Sequence, residues 1–314
     1  MLLRPKKSAK YDVVGVGYNS VDHLCILPGY PEYGTKTAML DYSIQGGGQT
    51  ATACAALGKL GFTASYIGKF GSVPSGRLAE ESLHDWNVST TRCLRTDACP
   101  NQIAVIWIDG ATGERTITYT RGDALNIAPG EIDREGISEG RLLILDAHNI
   151  PAMIEVATWA KEAQIPTVLD AERILPGIEK LLELTDYVIT DQFFPERMTG
   201  ISDLREALTV MAKGKDFIAA TKGSTGSIAL VEGEFIETSA IPIQAVDSTG
   251  AGDVFHAGFA AGLLMDFSIE ESLQFANVTA GLKCRKLGGR DGIPTREFAL
   301  SIMEKHFGLP NEIH

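Results

Sequence analysis

Residues 245–264 read AVDSTGAGDVFHAGFAAGLL, placing Asp247, Ser248, Thr249, Gly250, Ala251 and Gly252 ahead of Asp253 and a run of small and apolar residues. Two glycines flanking one alanine mark a turn, and the residues after Asp253 read as a buried helix. A helix start presents unpaired N–H groups and the positive end of the helix dipole. With the helix beginning near 250–253, the N–H groups of Gly250, Ala251 and Gly252 point at one spot. Glycine lets an anion approach that spot with no Cβ in the way. Asp253 then stands in the first turn, beside whatever the spot holds. A carboxylate next to a phosphate site can take the proton from a hydroxyl that attacks phosphorus. The plainer alternative is a tight turn in which Asp253 only caps the helix.

The chain has 314 residues, a net charge of −12 and a hydrophobic fraction of 44%, enough for a sizeable core. The acid excess argues against a general nucleic-acid binder, which needs surplus Lys and Arg, but leaves room for small anions held by backbone N–H groups. No apolar run reaches bilayer-spanning length, so no membrane partner is expected. The start, MLLRPKKSAK, lacks an apolar stretch followed by a small-residue cleavage site, and residues 1–10 are expected as a flexible tail. Cys25, Cys54, Cys93, Cys99 and Cys284 form no C-x-x-C pair. They read as free thiols in a reducing compartment, which predicts a cytoplasmic protein.

Apolar strands alternate with helices along most of the chain. YDVVGVGY (11–18), TASYIGKFG (63–71), RLLILDA (141–147), PTVLDAE (166–172), YVITD (187–191) and FIAATKG (217–223) read as strands. Residues 48–61, 76–88, 151–164 and 204–214 read as helices. This alternation predicts an α/β fold with a mostly parallel sheet covered on both faces. Two segments break it. Residues 23–44 and 99–121 carry β-like runs with no helix between, the second with DGATGE as a hairpin turn. They are expected to pack together as a small β-sheet lid over the ligand edge of the main sheet.

The full string D-S-T-G-A-G-D-x-F-x-A-G resembles the second signature of the ribokinase-like sugar kinases, the PfkB family. The resemblance extends in order from Tyr11 to Pro294. It implies a three-layer α/β/α core over 11–22, 45–98 and 122–314, with the lid at 23–44 and 99–121. It implies ATP and Mg²⁺ as cofactors, with a potassium ion alongside. Asp253 becomes the catalytic base, and Gly250, Ala251 and Gly252 the hole for the transferring phosphate. In GVGYNSVDHL, Asp22 takes the place of the family's sugar-binding Asp. In QGGGQTATACAALGKLG, Gly46 and Gly47 take the place of its glycine pair, and Lys36 of the lid is a candidate for an anionic part of the substrate. On the nucleotide side, IAATKGSTGSIAL supplies Thr221, Gly223 and Gly226, and FANVTAGLKC supplies Asn277 near the adenine, with Gly250 and Gly252 at the phosphates. Asp191 would hold Mg²⁺ through water. Asp247 with the loop GGRDGIP would hold the monovalent cation.

The pattern also departs from the family. Ala51 stands where many members carry Asn. TDQFFPERM has Asp191 and Phe194 in place of Asn and Glu, with Glu196 two positions on as a substitute, and LDAER has Glu172 where Asn is common. The glycine triplet, FANVTAGLKC and GGRDGIP are most similar to the ketose and sulfosugar kinase branch. The expected activity is transfer of the ATP γ-phosphate to a primary hydroxyl of a ketohexose or related sugar, by a homodimer joined through the lid. Alternatives are a nucleoside kinase of the same fold and a sugar- or nucleotide-binding regulator without turnover. A dinucleotide enzyme fails, because in VVGVGYNS Ser20 replaces the third glycine and an apolar run follows in place of a helix. A Walker-type loop fails because GSVPSGRL has Arg77 where Lys is needed.

Overall fold

The computed structural model describes residues 2–308. Met1 of the expected tail and 309–314 of the expected core lie outside the described residues. Among the described residues the main sheet has nine strands. Their order is Glu234–Thr238, Ser227–Val231, Phe217–Thr221, Tyr187–Asp191, Thr167–Ala171, Gly140–Asp146, Tyr11–Val16, Ala64–Ile67 and Val88–Ser89. Pairing is parallel except at Ser227–Val231, which runs antiparallel to both its neighbours. The central strands are apolar over most of their length, as burial on both faces requires, with buried Asp146, Asp170 and Thr190 at or near their C-terminal ends.

One face is covered by helices Gln49–Lys59, Ala251–Leu264, Ile269–Lys283 and Arg296–Phe307, and the other by Ile150–Glu162, Ile178–Leu184 and Leu204–Met211. Helix Ala251–Leu264 is buried on all sides from Val254 onward. Its Phe259 ring lies 5.4 Å from Tyr187 and 5.1 Å from Phe217. Strand Tyr11–Val16 pairs with Ala64–Ile67 on one side and with Gly140–Asp146 on the other, so the chain reverses its progress across the sheet there. Ligands of open α/β sheets bind outside the strand C-termini at such a reversal.

A second sheet has the order Asp41–Gly47, Ser20–Leu27, Ile103–Asp109, Arg115–Thr120. It brings residues 23–44 and 99–121 together. Its inner face closes over Leu24, Ala104, Ile106 and Ile108, with Leu287 of the core packed against them. Its strands run further than the segment bounds of 23–44: Ser20–Asp22 and Gln45–Gly47 belong to this sheet, because Ser20 pairs with Gly47 and Asp22 with Gln45. TASYIGKFG is not one strand but two, Ala64–Ile67 in the main sheet and Lys69–Ser72 paired with Leu94–Pro100. The break falls at Gly68, where a Cβ would meet the Tyr66 hydroxyl at 2.0 Å.

The expectation of a flexible tail is corrected for residues 2–6, which are bound to the core. Leu2 packs against it, the Tyr187 hydroxyl donates to the Leu3 carbonyl at 2.7 Å, and Arg4 Nη1 donates to the Phe267 carbonyl at 2.7 Å. The basic residues that suggest a solvated tail are therefore partly used as donors. Removing residues 1–6 is expected to lower unfolding stability by about 1–3 kcal/mol, the worth of two hydrogen bonds. Urea denaturation of the shortened chain checks this, and an unchanged midpoint would contradict the docking.

Candidate functional site

Helix Ala251–Leu264 starts at Gly250, whose φ of +74° is left-handed. A Cβ there would also lie 2.9 Å from the Cα of Gly289, so glycine serves both the turn and the close approach of the 288–290 loop. The Ala251 N–H donates to the Ser248 carbonyl at 3.1 Å. Among the described residues the N–H groups of Gly250, Gly252 and Asp253 have no protein acceptor. The expected trio of Gly250, Ala251 and Gly252 is corrected accordingly: Ala251 closes the turn, and the N–H of Asp253 takes its place. Nothing lies within 4 Å of where a Cβ on Gly252 would stand, so that side is open to a ligand.

These residues form the floor of a cleft of about 670 Å³ between the C-terminal edge of the main sheet and the lid. Asp22, Asp170, Glu172, Asp191, Thr221 and Asp253 all line it. From the lid, Ala104, Ile106 and Ile117 supply an apolar ceiling. The lid reaches the turn at the helix start directly, since Arg115 donates to the Ser248 hydroxyl. It meets the core again where Arg173 donates to the Tyr119 hydroxyl at 3.1 Å.

Asp22 sits on the lid strand, accepts the Ser20 hydroxyl at 2.6 Å and is 9% exposed. A Cβ on Gly47 would come 2.0 Å from its carboxylate, and one on Gly46 would come 2.0 Å from the Ser82 hydroxyl. Gly46 and Gly47, expected to touch substrate, are thus placed behind Asp22, and the cleft wall there is made by Gly48 and Gln49. Buried Arg290 ties this junction of lid strand and core together, donating to the Gly47 carbonyl at 3.3 Å and the Ser82 hydroxyl at 3.1 Å. Burial pushes the Arg290 guanidinium down to about 10, against the pull of Asp22 and Asp253.

The acids of the cleft act on one another. Burial holds the Asp253 carboxyl well above the usual range, and Asp170, Glu172 and Asp22 add repulsion. Asp170 is raised well above its range too, first by burial and then by Glu172 and Asp146. It accepts Gln49 Nε2 at 2.9 Å and stands 3.6 Å from His256 Nε2. His256 Nδ1 lies 2.7 Å from the Gly252 carbonyl, and burial lowers the proton affinity of the imidazole. Asp170, His256 and Gln49 escape the sequence reading. His256 lies three residues after Asp253 on the same helix, a spacing that brings side chains together.

Other expected residues fall elsewhere. Lys36 is exposed in the lid and does not line the cleft, a correction that follows from its place in the loop between the lid's first two strands. Asn277, expected near adenine, is instead buried and donates to Ser227 Oγ at 3.0 Å, Thr238 Oγ1 at 2.7 Å and the Leu273 carbonyl at 3.0 Å. It locks helix Ile269–Lys283 to the sheet edge. Gly226, with φ +105°, fits a turn in which a Cβ would meet the Thr238 carbonyl at 2.0 Å, while Gly223 faces open space. Asp191 lines the cleft, but its carboxylate also accepts Phe193 N at 2.7 Å, Phe194 N at 2.6 Å and Arg197 Nη2 at 3.1 Å. Glu196 turns to Ser202 and does not reach the cleft. Asp191 stays open to solvent at 38% exposure, unlike buried Asp247, so with Glu172 it suits a hydrated divalent cation, which takes few protein ligands and is reached through water. Asp247 does not fit the expected potassium ion. Its Oδ1 accepts Thr249 N and Oγ1 at 2.8 and 2.7 Å, and its Oδ2 accepts Gly288 N at 2.7 Å.

Residues 13–296 match the family model described as pfkB family carbohydrate kinase. The chain is 24% identical over 298 residues to ribokinase of Haemophilus influenzae, covering 92% of this chain and 97% of the relative. The structure of Arabidopsis thaliana ribokinase complexed with ribose and ATP superposes with a TM-score of 0.81 at 27% identity, covering 94% of this chain and 99% of that one. Ribokinase from Thermotoga maritima superposes with a TM-score of 0.82 at 20% identity, covering 94% and 100%.

The crowded acids have a consequence for stability. A carboxyl raised in the folded state stabilises below its unfolded value, and that stability is lost as pH rises through the folded value. At neutral pH the Asp253 carboxylate therefore destabilises the fold. Asp253→Asn is expected to melt above wild type at pH 7, with the gap closing towards about pH 4, the ordinary aspartate range. Scanning calorimetry at both pH values checks this. A variant less stable than wild type at neutral pH would contradict it.

Proposed function

The chain belongs to the pfkB family of carbohydrate kinases and is an ATP-dependent phosphotransferase with a hydroxyl acceptor, and from that premise we propose how its cleft carries out the transfer. The sugar lies between Asp22 and the floor of the cleft, with a primary hydroxyl turned to Asp253. The γ-phosphate sits on the N–H groups of Gly250, Gly252 and Asp253. The observation that carries this reading is a carboxylate standing in the same first turn as N–H groups that have no acceptor among the described residues.

Asp253 takes the hydroxyl proton as the oxygen attacks phosphorus, and a raised proton affinity makes it a better acceptor. The three N–H groups receive the charge that grows on the phosphoryl oxygens, already oriented and shielded from water. Arg115 on the lid hairpin closes the corner, and Ile106 and Ile117 line the lid side of the transfer path. Thr221, Gly223 and Asp191 stand towards the nucleotide. Asp191 and Glu172 would hold Mg²⁺ through its waters, and the ion would neutralise phosphate charge there.

A pentose is the first candidate acceptor, supported by relatives named ribokinase, with the ketohexose favoured by the sequence motifs as the second. A homodimer through the lid is supported by exposed Leu40, Tyr42 and Ile44 on and beside its edge strand. The free thiols of all five cysteines suit a reducing, cytoplasmic setting.

Asp253→Asn is expected to lower kcat by about 100-fold or more while ATP still binds, the usual worth of a positioned base. Coupled ADP detection across pentoses, ketohexoses and nucleosides, with calorimetric ATP titration, checks this. Turnover like wild type would overturn the assignment. For the dimer, Ile44→Glu is expected to convert the sedimenting species from dimer to monomer. A wild type that sediments as a monomer would refute the lid interface.

A further inference from the structure

Helices Ala251–Leu264 and Ile269–Lys283 pack closely because small residues line their contact. A Cβ on Gly258 would stand 2.8 Å from Ala276 Cα, and one on Gly262 would stand 2.7 Å from Ser272 Cα. The second helix ends at Lys283, next to the turn that starts the first. Lys283 is fully buried, and its Nζ donates to the Asp247 carbonyl at 2.9 Å. The same turn is fastened by the Cys284 carbonyl, which accepts Val246 N at 2.8 Å and Asp247 N at 3.2 Å.

An ammonium buried away from water is costly unless something offsets it. Burial pushes Lys283 down, and the Asp247 carboxylate works the other way. None of the groups that touch substrate in the cleft requires a lysine here. A lysine ammonium and a dissolved monovalent cation carry the same charge, and both seek carbonyl oxygens. Behind the Asp247–Gly250 turn, that charge adds to the positive helix end at which the phosphate binds. With the Asp247 carboxylate already taken by Thr249 and Gly288, the oxygens an ion would need are occupied by donors of the chain itself.

We propose that Lys283 is a built-in cation that replaces a dissolved monovalent ion beneath the anion-binding turn, so that phosphoryl transfer by this chain needs no potassium. Lys283 is a positioning residue: it acts through the carbonyl of Asp247, not on the substrate. The inference rests on the kinase reading given above.

The test compares wild-type turnover in KCl and in choline chloride at equal ionic strength, about 0.1 M, so that general screening cancels. Equal rates are expected, and a saturable, potassium-specific rise would overturn the proposal. Lys283→Met is expected to lose about 100-fold in kcat, the scale of removing one preorganised charge from such a site. Lys283→Ala, which leaves room at the carbonyl, is expected to regain turnover with potassium or ammonium but not with choline. Failure of both ions to restore it counts against the cation role and for a purely structural one. The melting temperature of wild type in the two salts decides the point without turnover or variants: equal values support the proposal and a potassium-specific rise contradicts it. Absence of turnover in both salts with every acceptor would count against the kinase reading instead, with the melting comparison still deciding this one.

Discussion

Helix Ala251–Leu264 must begin in one place and at one angle, because everything the cleft does depends on where its first N–H groups point. Left-handed Gly250 sets the angle, and the 288–290 loop lies too close to it to admit a Cβ. Burial from Val254 to Leu264 leaves the helix no room to turn about its axis, and the rings of Tyr187, Phe217 and Phe259 pin its middle. Loops that carry function are usually mobile. Here the functional turn is the start of one of the best-packed helices of the molecule, which suits donors that must be oriented before the reaction begins.

The site is held at a cost. Asp22, Asp170 and Asp253 all have carboxyls raised by burial, and Asp170 and Asp22 add repulsion on Asp253. Arg290 and His256 relieve this only in part, the first beside Asp22 and the second from the helix that carries Asp253. Such strain is common where chemistry needs a carboxylate that wants a proton. The lid completes the arrangement. Asp22 lies on its first strand, so an acid lining the cleft and the sheet that covers it belong to one element.

Much of this was legible in the sequence because the signals were periodic or locally dense. Alternating apolar runs located the main sheet, and the 245–264 stretch located the turn and its acid. The lid was legible as two β-rich insertions, though not its exact reach, because strand pairing such as Ser20 with Gly47 is a long-range fact. Single residues fared worse. Asn277 looks like a ligand in its motif, but only the fold reveals that Ser227 and Thr238 claim its amide. Ala251 looks like part of the anion hole, but the turn needs its N–H for Ser248. Asp170 and Lys283 sit within LDAER and FANVTAGLKC, but nothing in those strings marks their roles, which come from neighbours more than 30 residues away in the chain.

The most direct measurement is a crystal structure with a non-hydrolysable ATP analogue, Mg²⁺ and an accepted sugar. The expected result is a γ-phosphate accepting hydrogen bonds from the N–H groups of Gly250 and Gly252, with a sugar hydroxyl between it and the Asp253 carboxylate. A γ-phosphate bound elsewhere in the cleft, or a sugar hydroxyl out of reach of Asp253, would contradict it.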